Sequence, residues 1–387
     1  MQPPKKVWSL RSRAVRAALY QLIAVVIIGM LVYFLASNTL SNMQQRGIQS
    51  GFDFLQSAAG FDIGESLFEF DSGEPYWRAF LVGMTNTLRV AVLGIILTTL
   101  LGTLIGVGRF SKNALVRSLC WSYVEVFRNV PLLLQLLMWY LLFTELLPSP
   151  SEPLRWGSVF LSKGGLNFPI PVWSEAHRWT VGGLLAGGGV ALVYRYWLRM
   201  AAKRSGRVPQ QRLPFGVIVF IGLLVGWLLG GAPASINTPF QGEFAVESGA
   251  VLSPEFLSLL FGLTVYTAAF VAEVVRAGVQ SVAAGQTEAA QALGLDQRQT
   301  LRLVVLPQAL RVIIPPMTNQ YLNLTKNSSL AVAIGYPDIV SIANTALNQS
   351  GRAVECISII MLVYLCTSLA TSLLMNIYNQ RAALKER

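Results

Sequence analysis

Few residues in this chain combine a type and a spacing that could do chemistry. The densest group lies between 285 and 307, with the text GQTEAAQALGLDQRQTLRLVVLP. Here Glu288, Ala289 and Ala290 precede Gly294, and Leu306 and Pro307 close the segment. Thr287 can cap a first short helix, with Glu288 at its positive end. Gly294 suits the left-handed position that ends a helix. Asp296 can cap a second helix, and Gln299 can complete a capping box with it. Pro307 ends that helix or kinks it into the next apolar stretch. The pattern predicts a two-helix elbow with a smooth alanine surface that a groove on another protein can grip. A plain amphipathic surface loop is the alternative.

A second group sits in apolar sequence. Asn319, Asn323 and Lys326 are spaced i, i+4 and i+7, so they share one helix face. A charge at the centre of a bilayer costs about 2.5–3.5 kcal/mol on insertion scales, so Lys326 needs a partner or a purpose. With Gln135 and Ser328 it is a candidate for lining a substrate passage. Alternatively it is an anchor near Pro315 and Pro316. Glu273 with Arg276, and Glu125 with Arg128, have i, i+3 spacing and are expected to form structural ion pairs. Arg89 is expected to snorkel towards a membrane surface.

Other chemistries are not supported. No nucleophile stands with a base, so no catalytic residue is expected. His177 is the sole histidine, which excludes a histidine-rich metal site. Cys120, Cys356 and Cys366 lack metal spacing and read as small buried hydrophobes. No GxxxxGK[ST] phosphate loop occurs, so neither cofactor nor ATP binding is expected of this chain.

The elements that must position these residues are helices in a membrane. Hydrophobic residues make up 53% of the chain and charged ones 13%, against about 25% charged in a soluble domain. Apolar stretches at 19–36, 83–107, 119–147, 181–198, 214–231, 255–277, 311–334 and 354–377 are about long enough to span. The fold class expected is an all-α polytopic membrane protein with about eight spans. The net charge of +11 is explained by loop bias rather than by nucleic acid. Lys5, Lys6, Arg11, Arg13 and Arg16 precede the first span, which is expected to be a retained helix. Arg109, Lys112 and Arg117 follow the second, and Arg195, Arg199, Lys203, Arg204, Arg207 and Arg212 follow the fourth. Arg381, Lys385 and Arg387, with Glu386, end the chain. All these loops fall on one side, the cytoplasm, with both termini there. The opposite loop 37–78 carries Asp53, Asp62, Glu65, Glu69, Asp71 and Glu74 against Arg46 and Arg78. Four regions result: 1–82, with the tail, a first helix and an acidic loop; 83–147, the first part of a core; 148–254, an insertion with a glycine-rich helix pair suited to packing; and 255–380, the second part of the core.

The elbow text resembles the EAA loop of ABC importer permeases: EAA, three residues, Gly, nine residues, Ile-x-Leu-Pro, with Val304 in place of the Ile. Phe127–Leu133 (FRNVPLL), Ala272–Gly278 (AEVVRAG), Leu306–Arg311 (LPQALR) and Lys326–Leu330 (KNSSL) resemble the polar amino acid permeases. The acidic loop, with RGIQSGFDFL and GFDIGES, is similar to the longer general L-amino acid permeases. The resemblance implies a five-helix MetI-like core with an added N-terminal helix and helix pair. It implies a multi-pass inner-membrane permease that moves L-amino acids inward and docks the elbow on a cytoplasmic ATPase dimer. The further partners implied are a second homologous permease in a heterodimer and a periplasmic amino-acid-binding protein. ATP would be used by the partner. An ion-coupled secondary transporter is the rival expectation.

Overall fold

The computed structural model describes residues 13–45, 47, 50–175, 177–205, 214–232 and 234–382. Lys5, Lys6, Arg11, Arg46, Arg207, Arg212, Lys385, Glu386 and Arg387, which carry part of the orientation reading, lie outside them. The chain forms two compact units, Met1–Leu137 with Leu259–Arg387, and Met138–Ser258.

All eight expected apolar stretches are helical, though they are not equivalent. The helices α1 (Arg13–Gln45), α2 (Tyr76–Gly108), α7 (Pro254–Gln280) and α12 (Ala353–Ala382), and the helical segment Gln297–Ile334, include stretches long and apolar enough to cross a membrane. The expected single span 119–147 is instead two helices, α3 (Ala114–Asn129) and α4 (Leu132–Leu141, continued by a π-turn Leu142–Leu146), bent by 105°. The break lies at Pro131. Val130 before it is extended, at φ −92° and ψ 129°, as clash with the proline ring demands.

The expected span 311–334 starts earlier. The helix α9 (Gln297–Thr300) passes through a π-turn (Leu301–Val305) into α10 (Leu306–Asn327) and ends in a 3-10 turn, Ser328–Ile334. The short helices α8 (Ala284–Ala292) and α11 (Ile339–Ser350) complete the larger unit.

Helix α2 is its spine. A Cβ on Gly102 would lie 2.6 Å from Val271 and 2.9 Å from the Ala268 carbonyl, and one on Gly106 2.9 Å from the Ala272 carbonyl. Small residues thus let α2 and α7 approach backbone to backbone. At the other end of α2, Phe54 and Ala59 from the acidic loop are buried with Tyr76 and Phe80 of α2 and Ile339, Ile342, Ala343 and Ala346 of α11. Phe54 meets Tyr76 edge-on at 5.4 Å. This loop is therefore a folded cap rather than a tether. Among the cysteines, Cys356 is buried as expected, but Cys366 is exposed.

The smaller unit holds α5 (His177–Ser205) and α6 (Phe215–Leu229), in the two glycine-rich stretches. Helix α6 has 15 residues, about 22 Å at 1.5 Å per residue, which is short of a hydrocarbon core of about 30 Å. A Cβ on Gly222 would lie 2.6 Å from the Gly187 Cα and 2.5 Å from the Gly183 carbonyl, so only glycine allows this crossing. The unit also contains strands outside the all-helical expectation. β1 (Leu154–Trp156), β2 (Val159–Ser162), β3 (Gly165–Phe168) and β8 (Ala250–Leu252) form an antiparallel sheet in the order β1-β2-β3-β8. β4 (Ile170–Pro171) pairs with β5 (Ile236–Asn237), and β6 (Phe240–Gln241) with β7 (Val246–Glu247).

Candidate functional site

The elbow forms, with one change at its start. Helix α8 begins at Ala284, capped by Ala283 without a side-chain bond. Thr287 is therefore inside the helix, not its cap, and Glu288 lies in the second turn. The turn itself is built as expected. Gly294 has φ +79°, the Leu295 N–H donates to the Ala290 carbonyl at 3.1 Å, and the Gly294 N–H donates to that of Gln291 at 2.9 Å. These are the paired bonds of a helix ending in a left-handed residue. Asp296 accepts from the Gln299 N–H at 2.7 Å, and Gln299 Oε1 accepts from the Asp296 N–H at 3.0 Å. Pro307 does not end the second helix: the π-turn before it carries the chain into α10 without a break.

Burial sorts the elbow residues. Glu288, Ala289, Gly294 and Leu306 are exposed, Pro307 is half-buried, and Ala290 is buried against its own chain. Leu293, at the tip of the turn, is 82% exposed. Leu301, Leu303 and Leu306 are exposed as well, so the elbow carries several uncovered aliphatic side chains, not one.

The polar face of α10 is also real. Asn319, Asn323 and Lys326 are all exposed, while Tyr321, Leu324 and Thr325 between them are buried. Ser328 is not part of that face. It is fully buried, and its hydroxyl donates to the Thr325 carbonyl at 2.7 Å. Gln135 is likewise buried. Its amide donates to the Phe127 and Val130 carbonyls at 3.0 and 2.9 Å, acceptors left open where Pro131 breaks the helix. Its placement makes it a brace for the α3–α4 bend.

Of the two expected ion pairs, one forms and one does not. Glu273 and Arg276 do pair, with Arg276 donating to both carboxylate oxygens, and Arg109 at the end of α2 adds a bond to Oε2. Arg128 does not pair with Glu125. Its guanidinium lies 5.3 Å from the Phe270 ring centroid, and Glu125 accepts from the Asn129 amide at 3.0 Å. The flat ring offers Arg128 a stacking partner on α7. Arg128, Phe270, Glu273, Val312, Pro316 and Gln320 line a cavity of about 240 Å³. Arg89 does not snorkel. It pairs with Glu65 of the cap at 2.6 Å, with side chains 17% and 10% exposed.

Sequence reading missed three groups. Arg352 pairs with Asp53 at 3.1 Å, and Glu355 accepts from the Gly51 N–H at 2.6 Å, so buried charges at the start of α12 hold the cap. Asn86 donates to the carbonyls of both Glu65 and Pro337. Asp338 is fully buried and caps α11 by accepting from the Ser341 N–H at 2.8 Å. Desolvation pushes its carboxyl up to about 7 against the pull of that bond. An Asp-x-x-Ser text before an apolar helix was the available signal for Asp338. The cap contacts join residues some 250 to 300 positions apart and leave no local signal.

Comparison with known proteins places this architecture. Residues 98–384 match the family described as binding-protein-dependent transport system inner membrane component. The chain belongs to this family. As a family member it is a membrane component of a transport system, not a catalytic enzyme. It is 44% identical over 98% of its length to the general L-amino acid transport system permease protein AapQ of Rhizobium johnstonii, covering 96% of that protein. It is also 44% identical to the putative amino-acid ABC transporter permease protein YhdX of Escherichia coli, with 98% of this chain and 97% of that one covered. The glutamate/glutamine/aspartate/asparagine transport system permease protein BztB of Rhodobacter capsulatus is 38% identical over 92% of this chain and 90% of its own. The match to the permease family begins inside α2 and includes the elbow, the α10 face and the glycine-rich pair.

Proposed function

We propose that this permease carries L-amino acids inward across the inner membrane, with both termini cytoplasmic, and is driven by a separate ATPase that grips the elbow. The observation that carries the reading is Leu293. It stands 82% exposed on a turn fixed by Gly294 and the Asp296 capping box, between two membrane helices. Movement of a partner docked there would be delivered straight into α7 and α10. The named transport roles of the relatives supply the substrate class.

ATP hydrolysis belongs to the partner, and this chain binds neither ATP nor another cofactor. A periplasmic binding protein delivers the amino acid. A second, homologous permease completes the passage opposite Asn319, Asn323 and Lys326. Those side chains, with Arg128 and Gln320 in the neighbouring cavity, offer a cation and amides to a zwitterion. An ion-coupled mechanism needs a carboxylate free to bind the ion. Glu273, the acid best placed for that within the spans, is held by two guanidinium groups.

Purified components reconstituted in liposomes test the reading. Wild-type permease should retain the ATPase on an affinity column and take up a mixture of labelled L-amino acids only with ATP. A chain lacking 285–300 should release the ATPase. Uptake that continues without ATP but collapses with an ion gradient would overturn the proposal.

A further inference from the structure

We infer that Arg109 and Glu273 form the joint through which the elbow moves α2, and through α2 the cap on the opposite face. The inference rests on the reading that the elbow docks an ATPase. Glu273 lines the cavity beside Arg128, but its carboxylate is taken up by Arg276 and Arg109, so here it is a positioning residue acting through helices.

The joint is built from three contacts. Arg276, from the same helix, donates to both oxygens of Glu273, and Arg109, the C-cap residue of α2, donates to Oε2. The Arg109 and Glu273 side chains are 12% and 26% exposed, so the pair is shielded from solvent more than a surface ion pair. Removing Glu273 leaves the Arg109 guanidinium without its carboxylate, and removing Arg109 frees α2 from α7 while Glu273 stays paired with Arg276. Beside it, Gly102 and Gly106 put the α2 backbone against α7. Just below, a Cβ on Gly278 would collide with Ile313 and lie 3.2 Å from the Ala309 carbonyl. The α7 and α10 legs of the elbow are therefore locked together, and α2 is pinned to them.

Helix α2 continues for 33 residues, about 50 Å at 1.5 Å per residue. Its far end enters the cap through the Phe54–Tyr76–Phe80 cluster, and near its middle Arg89 reaches the cap through Glu65. A rod held by an ion pair at one end and by the cap over its other half transmits displacement as a unit, because packed helix interfaces slide or jump and do not stretch.

The test uses the assembled transporter in liposomes, with the single variants Arg109→Met and Glu273→Gln and the exchange Arg109→Glu with Glu273→Arg. Co-purification of the ATPase, ATP turnover and uptake of mixed labelled L-amino acids are measured together. Each single variant should keep the ATPase bound and turning over, while uptake per ATP falls at least tenfold. The exchange should restore at least a third of the wild-type ratio. A second readout places a cysteine at the exposed Leu67 of the cap, with Cys120 and Cys366 changed to serine. Its labelling by an impermeant maleimide should change at least threefold on adding ATP to the parent, and not in Arg109→Met. Wild-type uptake per ATP in the single variants would overturn the joint. So would loss of ATP turnover in proportion to uptake, failure of the exchange to rescue, or a labelling response that survives Arg109→Met. Loss of the ATPase from the elbow is scored separately, by deletion of 285–300. If that deletion leaves the ATPase bound, the docking reading fails, whatever the variants at the joint do.

Discussion

Single side chains in this permease are most informative where charge is removed from water. Asp338 has no exposed surface, and its carboxyl titrates near 7 instead of 3.8. The folded protein then binds a proton that the unfolded chain has released over that interval. Stability is therefore highest below about pH 4 for this group and declines as pH rises towards 7. The loss is at most about 4 kcal/mol, since one unit is worth about 1.4 kcal/mol. Melting midpoints in detergent should thus fall between pH 5 and pH 8 in the wild type. The fall should be smaller in Asp338→Asn, which keeps the cap of α11 without the charge. A second residue-scale outcome concerns Arg89. Replacing Arg89 by Met leaves Glu65, 10% exposed, without its cation, and should destabilise by roughly 3–5 kcal/mol. Removing both partners in Arg89→Met with Glu65→Gln should recover most of that loss. Thermal melts of the three variants would check the pattern, and additive losses would contradict it.

At the scale of elements, the elbow and the glycine-rich pair show opposite uses of glycine. Gly294 is needed for its backbone, at φ +79° with no atom near a potential Cβ. Gly294→Ala should cost about 1–2 kcal/mol through left-handed strain. It should weaken ATPase retention without altering the spans. Gly222 is needed for its lack of volume, since α5 occupies the space a side chain would take. Gly222→Leu should separate α5 from α6. Cysteines placed at their crossing would then lose cross-linking, while the ATPase stays bound. Retained cross-linking would mean that the crossing tolerates bulk.

For the whole molecule, the division into two units predicts what can be removed. The Tyr140 hydroxyl lies 3.5 Å from Glu255 Oε1, so the two chain crossings of the smaller unit are close together. A short Gly/Ser linker in place of 150–252 should leave a chain that still inserts and still retains the ATPase, because elbow, cap and α2 all belong to the larger unit. Loss of ATPase retention in that chain would show that the smaller unit supports the elbow. The same division bears on what sequence could reveal. Apolar stretches marked every long helix because burial in lipid imposes a composition over some 20 residues. The elbow was legible for a different reason: Gly294, Asp296 and Gln299 act on neighbours within a few positions, so their spacing carries the geometry.

What the sequence determined by itself is therefore whatever local chemistry enforces. That includes membrane helices, the helical turn with its capping box, the exposed face of Asn319, Asn323 and Lys326, and the family motifs around them. Tertiary structure alone decided which charges meet. Arg109 reached Glu273 across 164 positions, Arg89 reached Glu65 from a loop, and Arg352 reached Asp53 across 299. Arg128 turned from Glu125 to Phe270, and Gln135 and Ser328 turned inward. An arginine side chain can satisfy several partners equally well in sequence terms. The helix that packing places beside it settles the choice, because inside the protein an unpaired charge costs far more than any local preference supplies.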